Sequence, residues 1–189
     1  MAEGLVKKHL SKFSDILMVG ITGSVAAENA KKYEDIDLFI ICKKDTMWWT
    51  RLGLRIYIKL INIPHRKFGQ KEKPNDFCFN LWMDESDLLV PKLKQTQKNA
   101  VDLILIKVLL NRNNIFEKLI LENNWASKFV ATGYGELCHT RLQAGVTDFK
   151  SSIITKGLNY IAYIGQYLYI RLKGPVKFIT LRQAFFHIN

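Results

Sequence analysis

Proline and cysteine are both scarce in this chain, at four and three of its 189 residues. With so few prolines and no low-complexity stretch, nothing in the sequence reads as a linker. Cys42, Cys78 and Cys138 are odd in number and widely spaced, which argues against a disulfide framework. There is no CxxC pair, and the adjacent Cys138 and His139 lack a second pair of ligands, so a zinc site is not indicated. Long apolar runs are missing as well: no segment reaches the roughly 18 uninterrupted apolar residues of a membrane span. The opening residues, MAEGLVKKHLSKF, carry charge where a signal peptide has its apolar region, so the expected location is the cytoplasm.

Acidic residues are the last shortage. Seventeen Asp and Glu stand against 28 Lys and Arg, a net charge of +11. Such a balance suits a polyanionic partner, nucleic acid or nucleotide phosphate, and it suits a merely solvated surface equally well. The basic residues are spread along the chain, and no RRM or KH signature is present.

What is there is ordinary for a globular protein: 48% hydrophobic residues, 24% charged, and length enough for one domain with a real core. Leu5, Leu10 and Phe13 predict an opening helix over 3–13. DILMVGIT, 15–22, predicts a strand running into a Gly23-Ser24 turn. SVAAENAKKY, 24–33, predicts a helix with Ser24 at its N-cap. DIDLFIIC, 35–42, and DFCFNLWMD, 76–84, predict two more strands. A helix with an extended end is expected over 45–63, and a polar, proline-bounded loop over 64–75. Further helices are expected over 98–111, 114–125 and 157–174. In the last, Leu158, Ile161, Ala162, Gly165, Leu168, Tyr169 and Leu172 form one stripe at helical spacing, expected to be core. The fold class is therefore α+β: a small mixed β-sheet flanked by helices over 1–90, then a helical C-terminal region over 91–189. Phe185 and Phe186, so close to the end, read as packing against something, and further chain beyond Asn189 is one expectation.

Asp35 and Asp37 are the anomaly. Alternation puts both carboxylates on one face of an otherwise apolar strand. At 4–5 Å apart, an order-of-magnitude repulsion of about 3–4 kcal/mol follows for an effective dielectric near 20. A divalent cation between them relieves it, and oxygen ligands at that spacing suit Mg²⁺ or Mn²⁺. Solvated acids on an edge strand are the plainer alternative, but leave the apolar run from Leu38 to Cys42 unaccounted for. Gly23 permits close approach of backbone to ligand, and Ser24 opens a helix whose N–H groups favour an anion, or simply caps it.

Gly23-Ser24, ten intervening residues, then Asp35-Ile36-Asp37 in an apolar strand resembles the signature of the DNA polymerase β-like nucleotidyltransferase superfamily. FCFNLWMDE (77–85), EKLILENNW (117–125) and AFFH (184–187) resemble the compact bacterial and archaeal nucleotidyltransferase-domain proteins. The resemblance implies that the Gly-Ser turn grips the phosphates of a nucleoside triphosphate such as ATP. It implies that Asp35 and Asp37 hold two Mg²⁺ or Mn²⁺ ions. An acceptor hydroxyl then attacks the α-phosphorus and pyrophosphate leaves. The superfamily adds a third acid on a neighbouring strand, where this chain has Asn80. An amide can ligate but cannot act as a base. By alternation Asp76, Asn80 and Asp84 share a face, so Asp84 and then Asp76 are the candidates for that role.

Lys107, alone in the apolar VDLILIKVLL, either snorkels to the surface or neutralises a β- or γ-phosphate. Arg51, Arg55 and Lys44 are further phosphate candidates by charge alone. An RNA or tRNA end, a small molecule or a protein hydroxyl all fit as acceptor, and no membrane partner or oligomeric state is implied. A second reading keeps the fold and the nucleotide or RNA binding without the chemistry, with Asn80 as its basis. A membrane-surface protein using Trp48 and Trp49 is a third.

Overall fold

Two seven-residue runs form the centre of the fold. The computed structural model describes residues 2–27, 35–66, 73–74, 76–131, 134, 151–174 and 178–186. Ile16–Thr22 (β1) and Ile36–Cys42 (β2) are apolar and rich in β-branched residues along most of their length, the composition of strands covered on both faces. They pair antiparallel, with Val19 opposite Ile40 and Thr22 opposite Asp37. Phe77–Asp84 (β3) lies parallel to β2. A parallel neighbour needs a crossover connection. Met47–Leu60 (α3), which follows the short helices Ala2–Lys8 (α1) and Gly23–Ala26 (α2), supplies it.

The second half adds the helices Gln97–Ile104 (α4), Ile115–Glu122 (α5) and Ile153–Lys173 (α6). It also adds both edges of the sheet. Lys107–Asn111 (β4) pairs with β1; Phe178–Ile179 (β5) and Gln183–Phe185 (β6) extend the sheet beyond β3, giving the order β4-β1-β2-β3-β6-β5. The expected α+β class with a mixed sheet is observed. The helix expected over 98–111 is not: it stops at Ile104 and the chain becomes an edge strand. Pairing with the open edge of β1 outweighs the helical preference of Leu and Lys there.

Two apolar clusters cover the two faces. Val19, Ile21, Leu38 and Ile40 pack with α1, α3 and α6 residues on one; Leu17, Met18, Phe39 and Ile41 pack with α4 and α5 residues on the other. The expected stripe on α6 is corrected in all but one position. Ala162 is buried, together with Asn159, Gln166 and Ile170, whereas Leu158, Ile161, Leu168, Tyr169 and Leu172 are exposed. The reason is polar. Asn159 Oδ1 accepts from the Trp48 N–H at 2.7 Å and from the Trp49 N–H at 3.3 Å, satisfying donors that the first turn of α3 leaves over. Gln166 Nε2 donates to the Trp48 carbonyl at 2.8 Å. A helix face built on amides is invisible to a count of apolar residues. Trp48 is wholly buried in this contact, so Trp48 and Trp49 do not form an exposed pair.

Candidate active site

At the end of β2 where Asp35 and Asp37 lie, the sheet face that packs α4 opens into a cleft of about 570 Å³. Thr22, Gly23, Ser24 and Ala27 line it, as do Asp35, Asp37 and Asn80 from the strands and their ends. The opposite wall is the segment from Val90 through α4, with Leu93, Lys94, Thr96, Lys98, Asn99, Asp102 and Leu103. The volume falls within the range of small-ligand sites.

Gly23 is required by geometry. Its φ is +71°, and a Cβ there would come 3.1 Å from Asp37 Oδ2. Turn and acid are thus in near contact, joined by the pairing of Thr22 with Asp37. Ser24 is the second residue of α2 and not its cap; the N-cap is Thr22, without a side-chain bond. Of the helix expected over 24–33, residues 28–33 lie outside the described residues.

The two acids are tied to different partners. Arg66 Nη1 donates to Asp35 Oδ2 at 3.0 Å, and Asp35 is 5% exposed. Asn80 Nδ2 donates to Asp37 Oδ1. Cys78, opposite Asp37 in the parallel pairing, brings its sulfur among the same oxygens: one ligand atom from each of Asp35, Asp37 and Cys78 lies within 4.8 Å of the others. Burial, then the neighbouring carboxylates of Asp37 and Asp35, push the thiol well above its ordinary range. These donors fit a divalent cation, since two carboxylates and a sulfur converge; Arg66 already partly balances Asp35 and would share that carboxylate with the ion.

Asn80 lies beside Asp37, but Asp84 does not. Between Leu38/Phe79 and Phe39/Leu81 the register shifts by one residue, so Asn80 is the extra residue of a β-bulge. The bulge breaks the alternation on which a shared face for Asn80 and Asp84 depends. Asp84 instead aligns with Cys42, five residues or about 16 Å along the strand from Asp37. There it accepts from the Asp45 N–H at 2.6 Å and the Ser86 N–H at 3.0 Å, holding turns at the far end of the sheet. Asp76 precedes β3 and is not among the residues lining the cleft.

Lys107 is also placed elsewhere. It pairs with Ile21, whose side chain belongs to the cluster on the opposite sheet face, and its ammonium lies 4.0 Å from Glu3 of α1 at the surface. Arg51 is buried between α3 and α6, its guanidinium donating to Gln166 and lying 4.4 Å from the Phe186 ring centroid. Neither it, Arg55 nor Lys44 lines the cleft. Among the described residues, the cationic ones that do are Lys94 and Lys98, and α4 adds one acid, Asp102, raised above the usual carboxylate range by burial, with Lys98 opposing and Asp37 adding to the shift. Sequence reasoning missed all three. Lys98 and Asp102 are an i, i+4 pair, which on any exposed helix reads as a solvated ion pair, and only the docking of α4 brings them to the cleft.

A nucleotidyltransferase domain family model matches residues 3–121. The chain belongs to this family. No curated protein matches it. The matched part of this nucleotidyltransferase-domain chain contains the Gly23-Ser24 turn, both acids, Cys78 and the whole α4 wall. No helix among the described residues is long and apolar enough to cross a membrane.

Proposed function

We propose that the chain transfers a nucleoside monophosphate from a nucleoside triphosphate to an acceptor hydroxyl, releasing pyrophosphate. The observation carrying this reading is that Asp35 and Asp37 open onto the same cleft as the Gly23-Ser24 turn and two lysines of the facing wall. Asp35 and Asp37 would hold divalent metal, Mg²⁺ or Mn²⁺ in the superfamily's usual form. When bound, such an ion offsets charge developing on the phosphate oxygens and favours an ionised acceptor hydroxyl. The Gly23-Ser24 backbone and the Lys98 ammonium hold the triphosphate, and the α4 wall shields it from water. Asn80 orients Asp37 through its amide.

Asp102 is the carboxylate in position to take the acceptor's proton, since Asn80 cannot. Burial raises its pKa, so the ionised, competent form appears at higher pH than for an exposed aspartate. Asp102→Asn is expected to lower kcat/KM about 10²-fold and to remove the acid limb of the pH–rate profile. An unchanged acid limb would assign the proton to another group.

Lys98→Met is expected to raise the nucleotide KM about tenfold, whereas Lys107→Met should leave it within about twofold. The reverse ranking would return the phosphate role to Lys107.

The deciding experiment follows label from nucleoside triphosphates carrying it at the α-phosphate, one base at a time, onto cellular RNA, small hydroxyl compounds and protein extract. Label appearing in one pool, and lost in Asp35→Ala/Asp37→Ala, supports transfer and identifies the acceptor class. Asn80, in place of the expected acid, favours a second reading, a nucleotide-binding module without chemistry. Nucleotide binding with no pyrophosphate release would establish that alternative.

A further inference from the structure

Cys78 stands behind the acid pair, outside the residues that line the cleft, and neither reading uses it. It faces Asp37 across the parallel pair β2–β3, and its sulfur lies within 4.8 Å of carboxylate oxygens of both Asp35 and Asp37. Its orientation is fixed. Phe77 and Phe79 on either side pack into the cluster on the opposite sheet face, which turns Cys78 towards the acids. Asn80 then links sulfur and carboxylate: its Oδ1 accepts from the thiol at 2.7 Å, and its Nδ2 donates to Asp37. Cys78 is 5% exposed, so it is sheltered from bulk water, yet it borders both acids, of which Asp35 is bonded to Arg66.

We infer that Cys78 is a third metal ligand, and that the site therefore prefers a transition-metal ion such as Mn²⁺, Co²⁺ or Zn²⁺ over Mg²⁺. This rests on the proposal that Asp35 and Asp37 hold metal. Mg²⁺ is a hard ion that takes oxygen ligands in near-ideal octahedral geometry, and a sulfur in its shell is unfavourable. Ions further along the first transition row accept mixed oxygen and sulfur sets. Ion binding forms the metal–sulfur bond as the thiol proton leaves to solvent. The bond from the thiol to Asn80 Oδ1 is given up with that proton, and Asn80 remains a positioning residue for Asp37 through its amide N–H.

The test is a Co²⁺ titration of the full chain under reducing conditions, following sulfur-to-cobalt charge-transfer absorption, with Mg²⁺ and Mn²⁺ as competitors. A one-to-one band is expected, displaced by Mn²⁺ at lower concentration than by Mg²⁺. It should vanish in Cys78→Ser and persist in Cys138→Ser. Cys78→Ser should weaken Mn²⁺ more than about tenfold, while Mg²⁺ changes less than about threefold. Cys78→Asp, which completes an oxygen set, should reverse the preference towards Mg²⁺. Circular dichroism checks that each variant is folded. Co²⁺ bound without the band, with ion affinities unaltered in Cys78→Ser, overturns the role of Cys78 and leaves the acid pair as the metal site. No binding of any divalent ion by folded wild-type protein, with or without nucleotide, overturns both.

Discussion

Asp37→Ala is expected to reduce nucleotidyl transfer by about 10³-fold or more while leaving the unfolding midpoint nearly unchanged. Transition-state charge held through a metal ligand is worth several kcal/mol, and each 1.36 kcal/mol is tenfold in rate. Against folding the balance is small. The substitution removes a bond from Asn80 and also removes repulsion from Asp35 at the same site. Asp84→Ala should do the opposite. It is wholly buried and accepts from two backbone N–H groups, so losing it leaves buried donors unsatisfied. Part of that loss is offset, because burial raises its pKa and ionised Asp84 is itself costly. A net loss of about 2 kcal/mol is expected, with ion and nucleotide affinity within about twofold of wild type. Urea denaturation and label transfer on the two variants give the contrast directly. A transfer defect in folded Asp84→Ala would bring that acid back into the chemistry.

Asn123→Leu is expected to cost about 3–4 kcal/mol, among the largest single-residue effects in the protein. Asn123 is 0% exposed and uses its full hydrogen-bonding capacity. Its Oδ1 accepts from the Val90 N–H at 2.8 Å and from the Trp125 indole at 2.9 Å. Its Nδ2 donates to the Leu88 and Leu119 carbonyls, both at 2.8 Å. Leucine preserves volume but leaves those partners buried and unpaired. The effect should appear as a lower denaturation midpoint with an unchanged slope. A loss below about 1 kcal/mol would mean that water or local repacking replaces the amide.

The three central strands and the acid pair were legible because each rests on a local pattern. β1 and β2 are short runs of apolar and β-branched residues, and two acids in such a run stand out against them. Gly23 was legible as a turn residue, although its near contact with Asp37 depends on strand pairing. The failures share a different cause. Asp84 was misassigned because one inserted residue, Asn80, reverses which side chains face the cleft, and a bulge leaves no periodic trace. Of the two alternatives for Lys107 the surface one is observed; what the sequence leaves open is the element, because an apolar run of that length fits helix or strand, and the free edge of β1 decides. Lys98 and Asp102 matter only through where α4 docks. The inner face of α6 was missed because Asn159 and Gln166 are polar by composition yet buried by the backbone groups they satisfy.

The wall of the cleft between β3 and α4 has few regular backbone pairings of its own and is held by amides from distant parts of the chain. Besides the Asn123 contacts, Gln183 Nε2 donates to the Asp87 and Leu89 carbonyls at 2.8 and 2.9 Å. Both amides lie beyond residue 121, where the family match ends. The segment that inheritance marks out and the segment that folds are therefore different lengths. A fragment cut at the family boundary would keep every candidate ligand and lose the two braces that hold Asp87–Val90 in place. Asn123 and Gln183 are thus part of the site's scaffold, and grafting the matched segment onto another protein would transfer the reactive groups without the braces of the wall that confines them.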